Sequence, residues 1–112
     1  MKIEYLNTSD LGVRWFKTYY RKNPQLNRAK AVVALKNAER LLQDNPFAGD
    51  TFEDLDRVRE QEILGTAFSL LYTVARDTIW IIDLRDQRGK RSAEALRHHT
   101  KELRERFKIP KS

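Results

Sequence analysis

Apolar residues recur with two different periods along this 112-residue chain. Leu11, Trp15 and Tyr19 fall at i, i+4 and i+8, and Val13, Phe16 and Tyr20 at i, i+3 and i+7. Both spacings are helical, and together they predict a first helix with a wide aromatic face. Thr8, Ser9 and Asp10, just ahead of it, carry side-chain oxygens able to accept orphan backbone N–H groups, so N-cap chemistry is expected there. Asn23-Pro24 ends the helix, because the residue before proline is pushed out of the α region, and Pro24 is placed to open a second helix. In that second helix Ala31, Ala34/Leu35, Ala38 and Leu41/Leu42 form the apolar stripe, with Lys30, Lys36, Asn37, Arg40 and Gln43 away from it. The alanines permit close approach, which predicts an antiparallel helical hairpin. Asp44-Asn45-Pro46-Phe47-Ala48-Gly49-Asp50 is dense in turn residues and closes it.

Outside the helices the period is two. Ile3-Glu4-Tyr5-Leu6 predicts an N-terminal strand. Residues 58–64 predict a charged strand at an edge, and Gly65-Thr66 a turn. In 67–76, Phe68, Leu70, Tyr72 and Val74 alternate with Ser69, Leu71, Thr73 and Ala75. Asp77-Thr78 is the expected tight connection to a last strand over 79–85. There Trp80, Ile82 and Leu84 are expected on one face, with Ile79, Ile81, Asp83 and Arg85 on the other. These three strands predict an antiparallel meander. A basic helix over 92–107 carries Ala93, Leu96, Thr100, Leu103 and Phe107 on one side, and Pro110 stops it. The expected architecture is one α+β domain over 1–112, with a core of 1–90. It has an N-terminal strand and a helical hairpin packed on a three- to four-stranded antiparallel sheet, followed by the basic C-terminal helix.

Charge changes this picture by its location. The chain carries 22 Lys/Arg and 16 Asp/Glu, for a net charge of +6. Residues 1–84 are neutral, and the whole excess falls in 85–112. Arg85-Asp86-Gln87-Arg88-Gly89-Lys90-Arg91 is the densest basic cluster. It reads as a contact for phosphate or an acidic surface, with Gly89 allowing close approach. Cysteine is absent, which excludes a disulfide scaffold, a thiolate metal site and a cysteine nucleophile. No apolar run approaches the ~18 residues of a membrane span. The N-terminus has no signal-peptide apolar region, so a cytoplasmic location is expected.

The order β-α-α-β-β-β resembles the RelE/ParE superfamily of type II toxin–antitoxin modules, whose members are often called plasmid stabilisation proteins. The resemblance is carried by Asn45-Pro46-Phe47-Ala48-Gly49 after the helix pair and by Val58-Arg59-Glu60 opening the meander. The run from Gly65 through Tyr72 to Val74 and the run from Asp77 to Arg88 continue it. It covers residues 1–90. It implies a growth-arresting toxin neutralised by a small cognate antitoxin, within a toxin–antitoxin hetero-oligomer. The target is then either DNA gyrase, as for ParE-like members and favoured here, or ribosome-bound mRNA, as for RelE-like endoribonucleases. The alternative is a non-toxic module of the same fold that binds RNA, DNA or protein through the basic C-terminal segment.

A metal-free ribonuclease would draw its catalytic residues from Arg59, Tyr72, Arg85 and Arg88. Arginine clamps phosphate with a planar fork but is a poor general base. Tyr72 would need cations to lower its phenolic pKa, and its alternation with Phe68 and Leu70 marks it as a core residue. His98 and His99 are adjacent on the predicted tail helix and point about 100° apart. They read as solvated histidines, and neither a metal site nor a cofactor is expected. The target-contacting residues are expected among Arg57, Arg85, Arg88, Lys90, Arg91 and Arg97. Arg97, Lys101, Arg104 and Lys108 form a cationic stripe that Glu94, Glu102 and Glu105 can partly pair. Phe16, Tyr19 and Tyr20 exceed what one buried stripe requires and are the expected antitoxin-docking patch.

Overall fold

A computed structural model describes residues 1–53, 55 and 57–87. The elements follow in the order β1 (Lys2–Tyr5), a 3-10 turn (Asn7–Ser9), α1 (Asp10–Lys22), α2 (Arg28–Asp44), β2 (Asp50–Thr51), β3 (Arg59–Glu62), β4 (Phe68–Ala75) and β5 (Thr78–Asp86). The fold is α+β. The predicted basic helix over 92–107 lies outside the described residues.

The sheet is larger than the pattern predicts, and mixed rather than antiparallel. Its five strands run β1-β5-β4-β3-β2. The β3-β4-β5 meander is antiparallel as expected, but β1 pairs with β5 in parallel, with Ile3 opposite Ile79 and Tyr5 opposite Ile81. A parallel partner must come from a distant segment, so the spacing of neighbouring residues does not announce it. β2 is only two residues long, too short for a period to register, and extends the edge beside Arg59 and Glu60.

Both helices contribute to one core on one face of the sheet. Phe16 and Tyr20 of α1 and Ala31, Ala38 and Leu42 of α2 meet Phe68, Leu70 and Tyr72 of β4 and Ile79, Ile81 and Leu84 of β5. The opposite face holds a smaller cluster. Leu71, Trp80 and Ile82 are covered there by Leu6 and by Phe52 and Val58, which flank the loop between β2 and β3.

The local chemistry departs from expectation at three places. Thr8 and Ser9 do not cap α1. Thr8 Oγ1 donates to the Ile82 carbonyl at 2.8 Å and so ties the crossover to β5, while Ser9 Oγ donates to the Leu6 carbonyl at 2.6 Å and closes the turn within the crossover. Pro24 does not open α2. The chain turns first, with the Leu26 N–H donating to the Asn23 carbonyl, and Asn27 caps the helix by accepting from the Lys30 N–H at 3.0 Å. The β4–β5 connection is Arg76-Asp77 rather than Asp77-Thr78, and both residues are left-handed, at φ 52° and 58°. That pair of conformations is what a two-residue hairpin linking right-twisted strands demands.

The most consequential departure is a bulge. Leu71 pairs with Asp83 but Tyr72 pairs with Ile81, so β5 carries one extra residue, Ile82. Strict alternation would have kept Leu84 with Trp80 and Ile82, and Arg85 with Ile79 and Ile81. The extra residue reverses the pleat beyond it. Leu84 therefore enters the helix-side core, and Arg85, paired with Ser69, falls on the opposite face.

Candidate functional site

Arg59 and Tyr72 are opposite each other in the β3–β4 ladder and face the helix side. They hold the Asn45-Pro46-Phe47-Ala48-Gly49 segment. The Gly49 N–H donates to the Tyr72 hydroxyl at 3.0 Å, and Arg59 Nη1 donates to the Gly49 carbonyl at 2.7 Å. The Arg59 guanidinium also lies 5.2 Å from the centre of the Phe47 ring, a cation–π distance. Gly49 is glycine because of this closeness: a Cβ there would sit 2.7 Å from the Glu60 carbonyl oxygen and 2.8 Å from the Tyr72 hydroxyl. Tyr72 is fully buried, and burial pushes its phenol above the ordinary value, with the Gly49 amide and the Arg59 charge pulling partly back. The phenol thus stays protonated at neutral pH and is not a base.

Arg85 belongs to a different cluster, on the other face. Its Nη1 donates to Glu60 Oε2 at 2.7 Å. Ser69 Oγ donates to the same oxygen at 2.5 Å. The Phe52 ring covers the guanidinium at 5.3 Å. Glu60 precedes Gln61 on β3 and points away from Arg59, so the two faces alternate along that single strand. Both charged groups are mostly enclosed, and hydrogen bonds of this charged kind contribute about 1.5–3 kcal/mol each. What the cluster offers chemically is a fixed guanidinium beside a carboxylate, with a hydroxyl as the third member.

The residues singled out for catalysis therefore do not converge. Arg59 and Tyr72 stand on one side of the sheet and Arg85 on the other, and Arg88 lies outside the described residues. Of the expected target contacts, Arg57 is exposed in the loop between β2 and β3 at φ 66°, and Arg85 is partly exposed. Lys90, Arg91 and Arg97, like His98 and His99, lie outside the described residues. The aromatic patch of α1 is corrected in the same way. Phe16 and Tyr20 are core residues, 4% and 7% exposed, with their rings 5.0 and 6.3 Å from that of Phe68. A partner cannot reach them without opening the core, and only Tyr19 of the three keeps a larger exposed part. Trp15, on the same helix, donates from Nε1 to Asp86 Oδ2 at 2.8 Å, which anchors α1 to the end of β5.

Glu60 was not singled out by sequence reasoning. Its signal was a carboxylate on a strand whose neighbours supply a cation, but only the bulge in β5 brings Arg85 to its side. Among the described residues no cluster of three or more His, Asp or Glu is arranged to hold a metal ion. No helix among them is long and apolar enough to cross a membrane. No protein-family model and no curated protein matches the chain.

Proposed function

We propose that this chain is the toxin of a type II toxin–antitoxin module of the RelE/ParE kind, arresting growth by a protein–protein contact with DNA gyrase and neutralised by a cognate antitoxin. The observation that carries the choice of target is the separation of Arg59 and Tyr72 from Arg85 by the sheet. Arg59 and Tyr72 are occupied in holding Gly49, and the buried phenol is protonated. An endonuclease needs a base, a phosphate clamp and an acid around one phosphate. The gyrase reading needs no such convergence: Arg57 is an exposed cation, and the sequence from Arg85 onward carries the whole excess of positive charge.

One observation favours a second reading. Glu60 and Arg85 place a carboxylate and a guanidinium 2.7 Å apart, a base and clamp that an mRNA endoribonuclease could use. Induced expression without the antitoxin tests both. Growth arrest with gyrase trapped on DNA supports the proposal. Arrest with ribosome-dependent transcript cleavage and undisturbed gyrase replaces it with the second reading. Unimpeded growth overturns the toxin reading and leaves the non-toxic binding module.

A further inference from the structure

Helix α2 has a second apolar stripe that the core does not use. Val33 and Leu41 are 56% and 41% exposed, and with Asn37 between them they recur every four residues. Across from them stands Leu64, 73% exposed. Leu64 is held outward by a well-bonded turn, in which the Thr66 N–H donates to the Ile63 carbonyl while Ile63 itself is fully buried. These side chains line an open groove of about 410 Å3, together with Ala34, Lys30 and Glu62. Three exposed aliphatic residues converging on one concavity, rather than scattered singly, mark an interaction surface.

The dimensions and charge of the groove say what fits. From Val33 to Leu41 the stripe runs ~12 Å along the helix axis, at 1.5 Å per residue. The i to i+7 span of a second helix is about 10.5 Å, so such a helix can seat its apolar anchors along the whole stripe. At about 100° per residue, Lys36 and Arg40 fall on the solvent flank of the stripe and Lys30 at its end. All three are exposed, as is Asp44, which continues the stripe at the last residue of α2. The only carboxylate lining the groove among the described residues is Glu62, on the opposite wall. The outer flank is thus cationic.

We infer that the groove between α2 and Leu64 docks an acidic amphipathic helix of a partner protein, with aliphatic anchors against Val33, Leu41 and Leu64 and carboxylates along Lys30, Lys36 and Arg40. The inference stands apart from the gyrase reading, because it is tested on the purified chain without any target. The probe is a fluorescent peptide of about 15 residues with leucines at helical i, i+3, i+4 and i+7 positions and glutamates elsewhere, compared with its lysine-for-glutamate twin. Anisotropy is expected to show the acidic peptide binding about tenfold tighter than the twin, with the preference shrinking as salt rises. Leu64→Asp and Val33→Asp, both at exposed positions, should abolish binding while leaving the melting temperature unchanged. Lys36→Glu with Arg40→Glu should reverse the preference. No binding, equal binding of both peptides, or binding untouched by Leu64→Asp overturns the inference. Concentration-dependent dimerisation abolished by Leu64→Asp, seen by sedimentation, would assign the groove to a second copy of this chain and overturn it equally.

Discussion

The two faces of one sheet are stabilised in different ways. The helix face is a continuous apolar core in which two helices cover β4 and β5, and within it Tyr72 with Arg59 serves to hold a loop. The opposite face has a small apolar cluster under Leu6, Phe52 and Val58, and beside it the charged group of Glu60, Ser69 and Arg85. Its cover is attached by a two-residue strand and a loop in which Glu53 and Arg57 are both left-handed. A face packed by helices resists local opening, whereas one covered in part by a loop opens first. A polar site that must meet a partner is better placed on the second kind.

The sharpest test of that contrast is a pair of matched truncations. Phe68→Ala on the helix face should cost about 3–5 kcal/mol, since a fully buried ring leaves a cavity that two helices cannot collapse into. Phe52→Ala on the other face should cost less than about 2 kcal/mol, because its loop can settle into the space. Urea denaturation of both variants measures the difference, and equal costs would break the comparison. Gly49→Ala comes next. Its Cβ would strike the Glu60 carbonyl and the Tyr72 ring, so about 1–3 kcal/mol should be lost. Gly65→Ala meets nothing within 4 Å, and only its φ of 88° makes it costly, by about 1 kcal/mol.

The charged group distinguishes the faces by chemistry rather than size. Glu60→Ala leaves Arg85 without its carboxylate and Ser69 without its acceptor, and should cost about 1–3 kcal/mol. Glu60→Gln should recover part of that, because an amide oxygen still accepts. On the helix face the corresponding signature is alkaline. Burial raises the phenols of Tyr72 and Tyr5, and Tyr5 also donates to Glu39 Oε2 at 2.6 Å, which disfavours a second negative charge. A group whose folded pKa lies above its unfolded value contributes stability that is complete below about pH 10 and lost as pH rises beyond it. Stability should therefore fall above pH ~10, and Tyr5→Phe should flatten the slope measured by denaturation across that range.

Much of this fold was legible because its signals are local. The extent of α1 is marked by its aromatic period and by Asn23-Pro24, and β4 by its alternation. The parallel β1–β5 pairing was not legible, since it joins residues more than seventy positions apart and leaves no periodic trace. For the site, the decisive feature was the one extra residue in β5. Arg85 reads from alternation as a neighbour of Ile81, and hence of Tyr72, and the bulge at Ile82 removes it to the far side. The candidate residues were legible as chemical types, but their grouping depended on register, which a single strand does not encode.

The smallest expected effect lies at the turn that joins the two strands shared by both faces. Arg76 and Asp77 both hold positive φ, where a side chain crowds its own backbone, and neither is the residue this turn prefers. Arg76→Asn with Asp77→Gly supplies the preferred pair and should stabilise the fold by about 0.5–1 kcal/mol, read as a rise in the urea midpoint at constant m value. The gain should be the same in a background carrying Phe52→Ala as in one carrying Phe68→Ala, because neither ring belongs to the turn and distant changes add. A gain that appears in only one background would mean that β4 and β5 do not move as one unit. In that case the two faces would be separate folding units rather than two sides of a single ladder.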